Sequence, residues 1–150
     1  MARKPPKGKS LAEVNPKFSK EWHPTKNGDL TPFEVFPKSN KKFWWKCDKG
    51  DDHEWEMSPN KRVTRNSICT ICSGHKVVKS NCLAILHPNL IKEWHPYKNE
   101  GMTPFDFTAI SSKQVWWKCD KGDDHEWLSS IRNRVSGTRC SICIGQKVVK

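Results

Sequence analysis

The amino-acid sequence contains one long segment twice, and this duplication limits what the chain can fold into. Residues 21–55 and 93–127 are identical at 23 of 35 positions at an offset of 72, and both contain WWKCDKGDDHEW. Further on, CTICSGHKVVK at 69–79 is matched by CSICIGQKVVK at 140–150, at an offset of 71. Self-similarity at a fixed period is the signature of a repeated structural unit. We therefore expect two units of the same fold.

The duplication also sorts the seven cysteines and six histidines by whether they recur. Cys82 is matched by Ser10, so we interpret it as a helix-capping position rather than a ligand, and His75 is matched by Gln146. The residues that recur are Cys47, His53, Cys69, Cys72 and His23 in the first copy and Cys119, His125, Cys140, Cys143 and His95 in the second. Both copies then read Cys-x5-His, 14 or 15 further residues, and Cys-x2-Cys.

This recurring set has the composition of a structural zinc site. Zinc in such sites is bound tetrahedrally by four cysteine and histidine side chains. We prefer His53 and His125 as the fourth ligands, because each lies on a short loop that can return to the first cysteine of its copy. His23 and His95, each in Trp-His-Pro, are interpreted as packed side chains. The sequence thus predicts two zinc ions per chain.

Disulfide-bonded or free cysteines are the alternative interpretation. Three recurring cysteines per unit is an odd number, however, and the start MARKPPKGKS does not resemble an apolar secretory signal. Reduced thiols favour an intracellular location, in the cytoplasm, the nucleoid or the nucleus. The sequence also contains no run of about 20 apolar residues, so no membrane partner is expected. Units of about 70 residues rarely fold on a hydrophobic core alone, which further favours a stabilising metal.

The net charge favours a polyanionic partner. Lys and Arg total 27 against 16 Asp and Glu, and the formal net charge is +11. Residues 1–9 are expected to form a flexible basic arm, and the arginine-rich segments 60–66 and 132–139 are expected to be loops before each cysteine pair. A solubilising tail and solvated loops are the alternative. The predicted phosphate-binding residues are Arg3, Lys4, Lys7, Lys9, Lys61, Arg62, Arg65, Arg132, Arg134 and Arg139.

Local patterns predict the same elements in both copies. Short Leu-Ala helical turns follow Ser10 and Cys82, and a second helix opens at Pro16 and at Pro88. The strands KFWWKC and QVWWKC lead to the first cysteine, and a second strand beginning at HEW returns as a hairpin or a bent strand. One tryptophan of each WW pair must point inward and the other outward, where it covers the helices or stacks on a base.

These patterns define the expected fold class. We expect a small, metal-stabilised α+β fold made of two tandem units, each with a short helical clasp and a zinc-bound β unit. The clasp is the pair of short helices at the start of each copy. The expected units are residues 10–80 and 81–150, preceded by the arm at 1–9.

The joint pattern L-A-x3-P-x3-K-E-W-H-P-x-K-N, W-W-K-C, G-x2-H-E-W and C-x-x-C-x-G resembles a known family. It is similar to the tandem family of probable zinc-ribbon domains, which are themselves similar to treble-clef zinc fingers, over nearly all of residues 10–150. The resemblance implies the zinc ligands Cys47, His53, Cys69 and Cys72 in the first unit and Cys119, His125, Cys140 and Cys143 in the second. A common form of the family has histidine directly after the glycine, whereas two aspartates intervene here. A neighbouring aspartate is therefore the alternative fourth ligand.

Members of this family also occur fused to nuclease-like domains, so the resemblance implies a role with nucleic acid. Catalysis is not expected, because a zinc ion with four protein ligands has no open position at which to activate water. The predicted function is a non-catalytic, zinc-dependent protein that binds the phosphate backbone of DNA or structured RNA. The alternatives are a zinc scaffold docked on a protein or ribonucleoprotein complex such as the ribosome, and an accessory part of a nuclease system.

Overall fold

A computed structural model describes residues 3–146 of the chain. The chain divides into two compact units, Met1–Lys76 and Val77–Lys150. Within the described residues each unit has two short α-helices, a two-stranded antiparallel hairpin and a third α-helix, in that order. The predicted fold class, a small metal-stabilised α+β fold repeated in tandem, is confirmed. None of the helices formed by these residues is long and apolar enough to cross a membrane.

The helices and strands of the two units occur in the same order, apart from one additional 3-10 helix in the second unit. The first unit contains α1 (Leu11–Val14), α2 (Pro16–Ser19), a 3-10 helix (Pro32–Glu34), β1 (Phe43–Lys46), β2 (Glu54–Met57) and α3 (Pro59–Arg65). The second unit contains α4 (Leu83–Leu86), α5 (Pro88–Ile91), a 3-10 helix (Pro104–Asp106), β3 (Gln114–Lys118), β4 (Glu126–Ser130) and α6 (Ile131–Val135). A further 3-10 helix, Lys79–Asn81, precedes α4.

The helical clasp begins with a capped turn. The hydroxyl of Ser10 accepts the backbone N–H of Glu13 at 3.3 Å, and the Glu13 carboxylate accepts the backbone N–H of Ser10 at 3.2 Å. Pro16 is the first residue of α2. Proline is well tolerated there, because the backbone N–H that it lacks would have no hydrogen-bond partner within the helix. Helices of four residues are not stable alone, so the burial of Leu11 and Phe18 must hold the clasp in place.

The hairpin places alternate side chains inside and outside. In β1, Phe43 and Trp45 are buried while Trp44 is half-buried, and Trp45 lies opposite Trp55 of β2. The Trp45 side chain is 0% exposed and its indole N–H donates to the carbonyl of Met57 at 2.8 Å. The prediction of one inward and one outward tryptophan is confirmed. The outward ring of Trp44 carries the Lys26 ammonium 4.4 Å from its centroid.

Residues 21–27 cover the outer edge of β1. The N–H of Lys46 donates to the carbonyl of Glu21 at 2.7 Å, and the N–H of His23 donates to the carbonyl of Trp44 at 3.1 Å. The Asn27 side chain then completes the edge, since its amide oxygen accepts the Trp44 N–H at 2.8 Å and its NH2 donates to the Trp44 carbonyl at 2.9 Å. The second unit repeats the side-chain contact, with Asn99 bonded to both backbone groups of Trp116.

The segments after the hairpins are helices, which corrects one prediction. We expected residues 60–66 and 132–139 to be loops, but α3 and α6 occupy most of the first segment and the start of the second. The hydroxyls of Ser58 and Ser130 cap these helices by accepting the N–H three residues later. Pro59, in the first turn of α3, is a second residue type that favours the start of a helix at this point.

Candidate metal centre

The first group of potential ligands forms a closed cluster. The Nδ1 atom of His53 lies 3.3 Å from the sulfur of Cys47, 3.3 Å from that of Cys72 and 3.8 Å from that of Cys69. The sulfurs of Cys47 and Cys72 are 3.7 Å apart. All ligand atoms of the group lie within 4.8 Å of one another.

The second group reproduces this geometry. The Nδ1 atom of His125 lies 3.4 Å from the Cys119 sulfur, 3.2 Å from the Cys143 sulfur and 3.9 Å from the Cys140 sulfur. The sulfurs of Cys119 and Cys143 are again 3.7 Å apart. The two units therefore present the same arrangement of three sulfurs and one ring nitrogen.

These distances fit zinc and exclude disulfides. A tetrahedral ion with bonds of about 2.3 Å to sulfur and about 2.0 Å to nitrogen separates two sulfurs by roughly 3.8 Å and a sulfur from the nitrogen by roughly 3.5 Å. A disulfide would place its sulfurs about 2.05 Å apart, and all seven cysteines are free. Each cluster can hold one zinc ion, so the predicted two zinc ions per chain fit the structure.

The hairpin and the following turn bring the ligands together. Cys47 follows β1 directly, and its N–H donates to the carbonyl of His53 at 3.2 Å, which closes the loop between the strands. The N–H of His53 in turn donates to the carbonyl of Gly50 at 3.1 Å. Cys69 and Cys72 lie on one turn, in which the N–H of Ser73 donates to the carbonyl of Cys69 at 3.0 Å.

The histidine ring, rather than an aspartate, completes each cluster. Within residues 3–146 the two clusters contain no carboxylate, so the alternative of an aspartate ligand is not supported. In the second unit, Asp124 lies on the far side of the ring, with a carboxylate oxygen 4.0 Å from Nε2 of His125. The two intervening aspartates lengthen the loop without entering the site.

His23 is a packed side chain, as predicted. Its Nδ1 accepts the N–H groups of Thr25 and Lys26 at 3.2 and 3.1 Å, so the ring proton lies on Nε2 and is donated to Glu54 at 2.9 Å. Hydrogen bonds from Lys26, and then from His23, lower the pKa of Glu54 to about 2. That carboxylate therefore stays charged at neutral pH and can hold the ring in place. His95 has the corresponding contacts.

Cys82 is buried outside both clusters, as its unmatched position predicted. Its thiol donates to the carbonyl of Lys79 at 3.4 Å. It occupies the N-cap position of α4, where its side chain makes no capping hydrogen bond.

Without a metal, one thiol of each cluster holds its proton firmly, because the pKa is raised for Cys47 in the first cluster and for Cys143 in the second. Burial is the main cause that raises the pKa of Cys47 to about 12, with smaller contributions from the neighbouring thiols of Cys69 and Cys72. Zinc must displace these protons to bind thiolates, so binding releases protons and weakens as the pH falls.

Sequence reasoning missed the role of Gly50. A Cβ atom at this position would lie 2.6 Å from Cδ2 and 2.9 Å from Nε2 of His53, well inside van der Waals contact. At Gly122 a Cβ atom would lie 2.7 Å from Cδ2 of His125. The recurrence of this glycine in both copies, three residues before the histidine, was the available signal.

We expect Gly50→Ala to weaken zinc binding at the first site, because the methyl group would clash with the His53 ring and displace it from the position in which Nδ1 faces the sulfurs. The affinity should fall by about 10- to 100-fold, the range found when groups that orient a metal ligand are changed. Competition with a chromogenic chelator measures this, and Gly122→Ala is the matched variant for the second site. Each substitution should lower the zinc affinity of one site only. An unchanged zinc affinity in both variants would contradict the proposed contact between the glycine position and the histidine ring.

The predicted phosphate-binding residues fall into two groups. The prediction that Arg62 binds phosphate is wrong. Its side chain is 1% exposed, pairs with Glu21 and lies 4.5 Å from the ring centroid of Trp45, so it cannot reach a phosphate. Its counterpart Arg134 is 15% exposed and donates to Glu93 at 2.8 Å through Nε. The remaining residues are exposed, namely Arg3, Lys4, Lys7, Lys9, Lys61, Arg65, Arg132 and Arg139.

Together the fold and the ligand geometry define a protein made of two small zinc-binding units, each with a treble-clef-like Cys3His site. The chain belongs to the family described as the probable treble clef zinc finger domain, whose model matches residues 18–75 and 90–146. Both matched regions contain a complete ligand set. A comparison with curated proteins found no match.

Proposed function

We propose that the protein binds nucleic acid through its phosphate backbone, without catalysis, and that zinc holds the binding surface in shape. The supporting observation is a set of exposed cations on the segment between the hairpin and the cysteine pair of each unit. Lys61 and Arg65 lie on α3 of the first unit, and Arg132 and Arg139 lie between β4 and the cysteine pair of the second. Guanidinium and ammonium groups in such positions are suited to phosphate oxygens.

These four cations form no ion pair with an acidic side chain among the described residues. The ion pairs formed by residues 3–146 use other cations, namely Lys4, Lys26, Lys46, Arg62, Lys98 and Arg134. Lys61, Arg65, Arg132 and Arg139 therefore keep their charge available to an external anion.

The basic arm adds to this surface. Arg3, Lys7 and Lys9 are exposed, while Lys4 pairs with Glu34 at 2.7 Å. The N–H of Gly8 donates to the Glu13 carboxylate at 2.9 Å, which ties the arm to the clasp. The arm thus presents its charges from a defined point on the first unit.

A non-catalytic role follows from the ligand count. Each cluster offers four protein ligands, and zinc that is bound by four protein ligands has no position for a reacting water. The zinc ions then stabilise the units instead of promoting hydrolysis. A cleavage assay with added divalent metal tests this part of the proposal, and cleavage that is lost in a Cys72→Ser variant would refute it.

Binding should depend strongly on salt. The logarithm of the affinity should fall linearly with the logarithm of the salt concentration, with a slope of about −0.7 to −0.9 per phosphate contacted. The double variants Lys61→Ala/Arg65→Ala and Arg132→Ala/Arg139→Ala should each weaken binding and flatten the slope by about 1 to 2. Deletion of residues 1–9 should do the same. Fluorescence anisotropy with labelled DNA and RNA at several salt concentrations measures these changes.

The matched control is Lys20→Ala/Lys92→Ala. It removes two exposed charges at the C-terminal ends of α2 and α5, outside the proposed surface. Equal loss of affinity in this control would show that only net charge matters. Absence of binding to DNA and RNA at low salt would refute the proposed function.

Docking on a protein or ribonucleoprotein complex is the second candidate, and one observation favours it. Phe33 and Phe105, at corresponding positions in the two 3-10 helices, are 63% and 59% exposed. Large apolar side chains exposed at the same place in both units are suited to a protein partner. Under this alternative, Phe33→Ser/Phe105→Ser would abolish co-purification of a partner, and the association would depend little on salt.

A further inference from the structure

A cleft in the first unit combines Arg65, a cation of the proposed backbone-binding surface, with side chains that backbone binding does not use. The cleft has a volume of about 460 Å³ and lies between the C-terminal end of α3 and the turn that holds Cys69 and Cys72. Its size falls in the range of about 300 to 1,000 Å³ that is usual for small-ligand sites. The residues around it include Met57, Arg65, Ile68, Thr70, Ser73 and His75.

One side of the cleft is polar and suited to an anion. Its lining contains no Asp or Glu, while Arg65 and His75 are both exposed. The hydroxyl oxygen of Thr70 is buried and has no hydrogen-bond partner among the described residues. Ser73 donates its proton to the carbonyl of Thr70 at 3.1 Å and therefore accepts from Nδ1 of His75 at 2.8 Å, which orients the imidazole.

A further cation stands at the rim of the cleft. Lys17 donates through its ammonium group to the side-chain oxygen of Asn66, another lining residue. The positive charge here is therefore held in position by a hydrogen bond, whereas an ordinary surface lysine is free to move. An anion entering the cleft would meet this charge together with Arg65.

The lining of the cleft also contains apolar side chains. Ile68 is 63% exposed, and Met57, the last residue of β2, is a further lining residue. An isoleucine and a methionine next to an anion-binding side provide a surface for a flat, apolar face of the same ligand. A nucleotide has this combination of a phosphate and a ring with two apolar faces.

The duplication shows that the fold does not require these residues. At the positions of Met57, Ile68, Ser73 and His75 the second copy has Ser129, Arg139, Ile144 and Gln146, although its zinc cluster has the same geometry. The zinc ligands recur in the two copies, and these lining residues do not. This lining is therefore specific to the first unit.

We propose that this cleft binds one unpaired nucleotide, with its phosphate against Arg65 and His75 and its base against Ile68 and Met57. The inference rests on the proposed function and deepens it, because it names the form of nucleic acid preferred. A base held in a continuous duplex cannot enter the cleft, so the protein should prefer single strands or loops to duplex. Contact between a base and a protein surface adds affinity with little dependence on sequence.

The test compares a labelled single strand with a hairpin duplex of the same length and composition. The triple variant Met57→Ser/Ser73→Ile/His75→Gln carries the residues that the second copy has at these positions, so the same fold already accommodates them. It should bind the single strand about tenfold more weakly and the duplex as before, consistent with the loss of one base contact. Gln146→His, the reciprocal change in the second unit, should leave both affinities unchanged. Equal loss on single strand and duplex would overturn the inference.

A direct titration separates failure of this inference from failure of the proposed function. Adenosine monophosphate and inorganic phosphate are added to the zinc-loaded protein while NMR signals of the His75 ring and the Ile68 methyl groups are followed. The nucleotide should shift both sets of signals, and phosphate should shift those of His75 alone. If nucleic acids bind but the nucleotide shifts neither, the cleft proposal is wrong and the proposed function stands. Binding of an acidic peptide at the same signals, without a nucleotide response, would also overturn it.

Discussion

Removal of zinc is expected to unfold both units of the protein. Apparent binding free energies of structural zinc are about 10 to 16 kcal/mol and couple directly to folding, which exceeds the stability that such small cores supply. Metal analysis should find two zinc ions per chain, and a strong chelator should abolish the tryptophan emission of the folded state. Each copy contains four of the eight tryptophans, so both losses are visible. A chain that stays folded in chelator would contradict the structural role of zinc.

Two cysteine substitutions make this test specific. Cys72→Ser removes a ligand of the first cluster and should lose about one zinc ion per chain. Cys82→Ser changes a buried cysteine outside the clusters and places at the N-cap of α4 the residue type that caps α1. It should leave the zinc content at two and the stability equal or slightly higher. Loss of zinc from the Cys82 variant would show that the ligands are assigned wrongly.

Arg62→Ala is expected to destabilise the first unit by about 3 kcal/mol, because it removes a buried side chain that packs among aromatic rings and pairs with the partly exposed Glu21. The Arg62 guanidinium also lies 4.7, 4.5 and 5.1 Å from the ring centroids of Phe18, Trp45 and Trp55, so the substitution leaves a gap among these rings. Burial lowers the pKa of Arg62, whereas its hydrogen bond with Glu21 opposes that shift and keeps the group charged. Denaturant unfolding of the zinc-loaded protein measures the effect.

The two units supply the controls for this prediction. Arg134→Ala removes the corresponding arginine from the second unit, where it is 15% exposed, and should cost less. Lys61→Ala changes an exposed neighbour of Arg62 and should alter the free energy of unfolding by no more than about 0.5 kcal/mol. A variant Arg62→Ala with unchanged stability but weaker binding to nucleic acid would restore the original interpretation of Arg62 as a phosphate ligand.

The metal ligands could be predicted from the sequence because the duplication shows which cysteines and histidines occur in both copies. Residues that both copies need recur, and the lack of a matching residue removes Cys82 and His75 from the candidates. The spacing then indicates the fourth ligand, since a histidine six residues beyond the first cysteine can return to it across a tight loop. The side of the ring that faces the sulfurs, and the space that Gly50 leaves for it, depend on three-dimensional packing.

The helix α3 was missed although its start signals were present. Ser58 and Pro59 are a capping residue and a first-turn proline, but the polar, arginine-rich segment that follows has no apolar stripe that would indicate a helix. Its buried face is formed by Arg62, a residue that sequence reasoning places on the surface. Only the surrounding aromatic rings make that burial possible, and they come from distant parts of the unit.

The covered edge of β1 has a consequence for how this chain folds. Two hairpins with almost the same sequence in one polypeptide are at risk of exchanging strands, since an open strand edge pairs with any matching strand nearby. In each unit the asparagine side chain and the preceding turn occupy the backbone groups at that edge. A second copy that emerges during synthesis therefore finds no open partner on β1 of the first. Because this strand edge is covered within each unit, two nearly identical hairpins can lie in one chain without pairing with each other's strands.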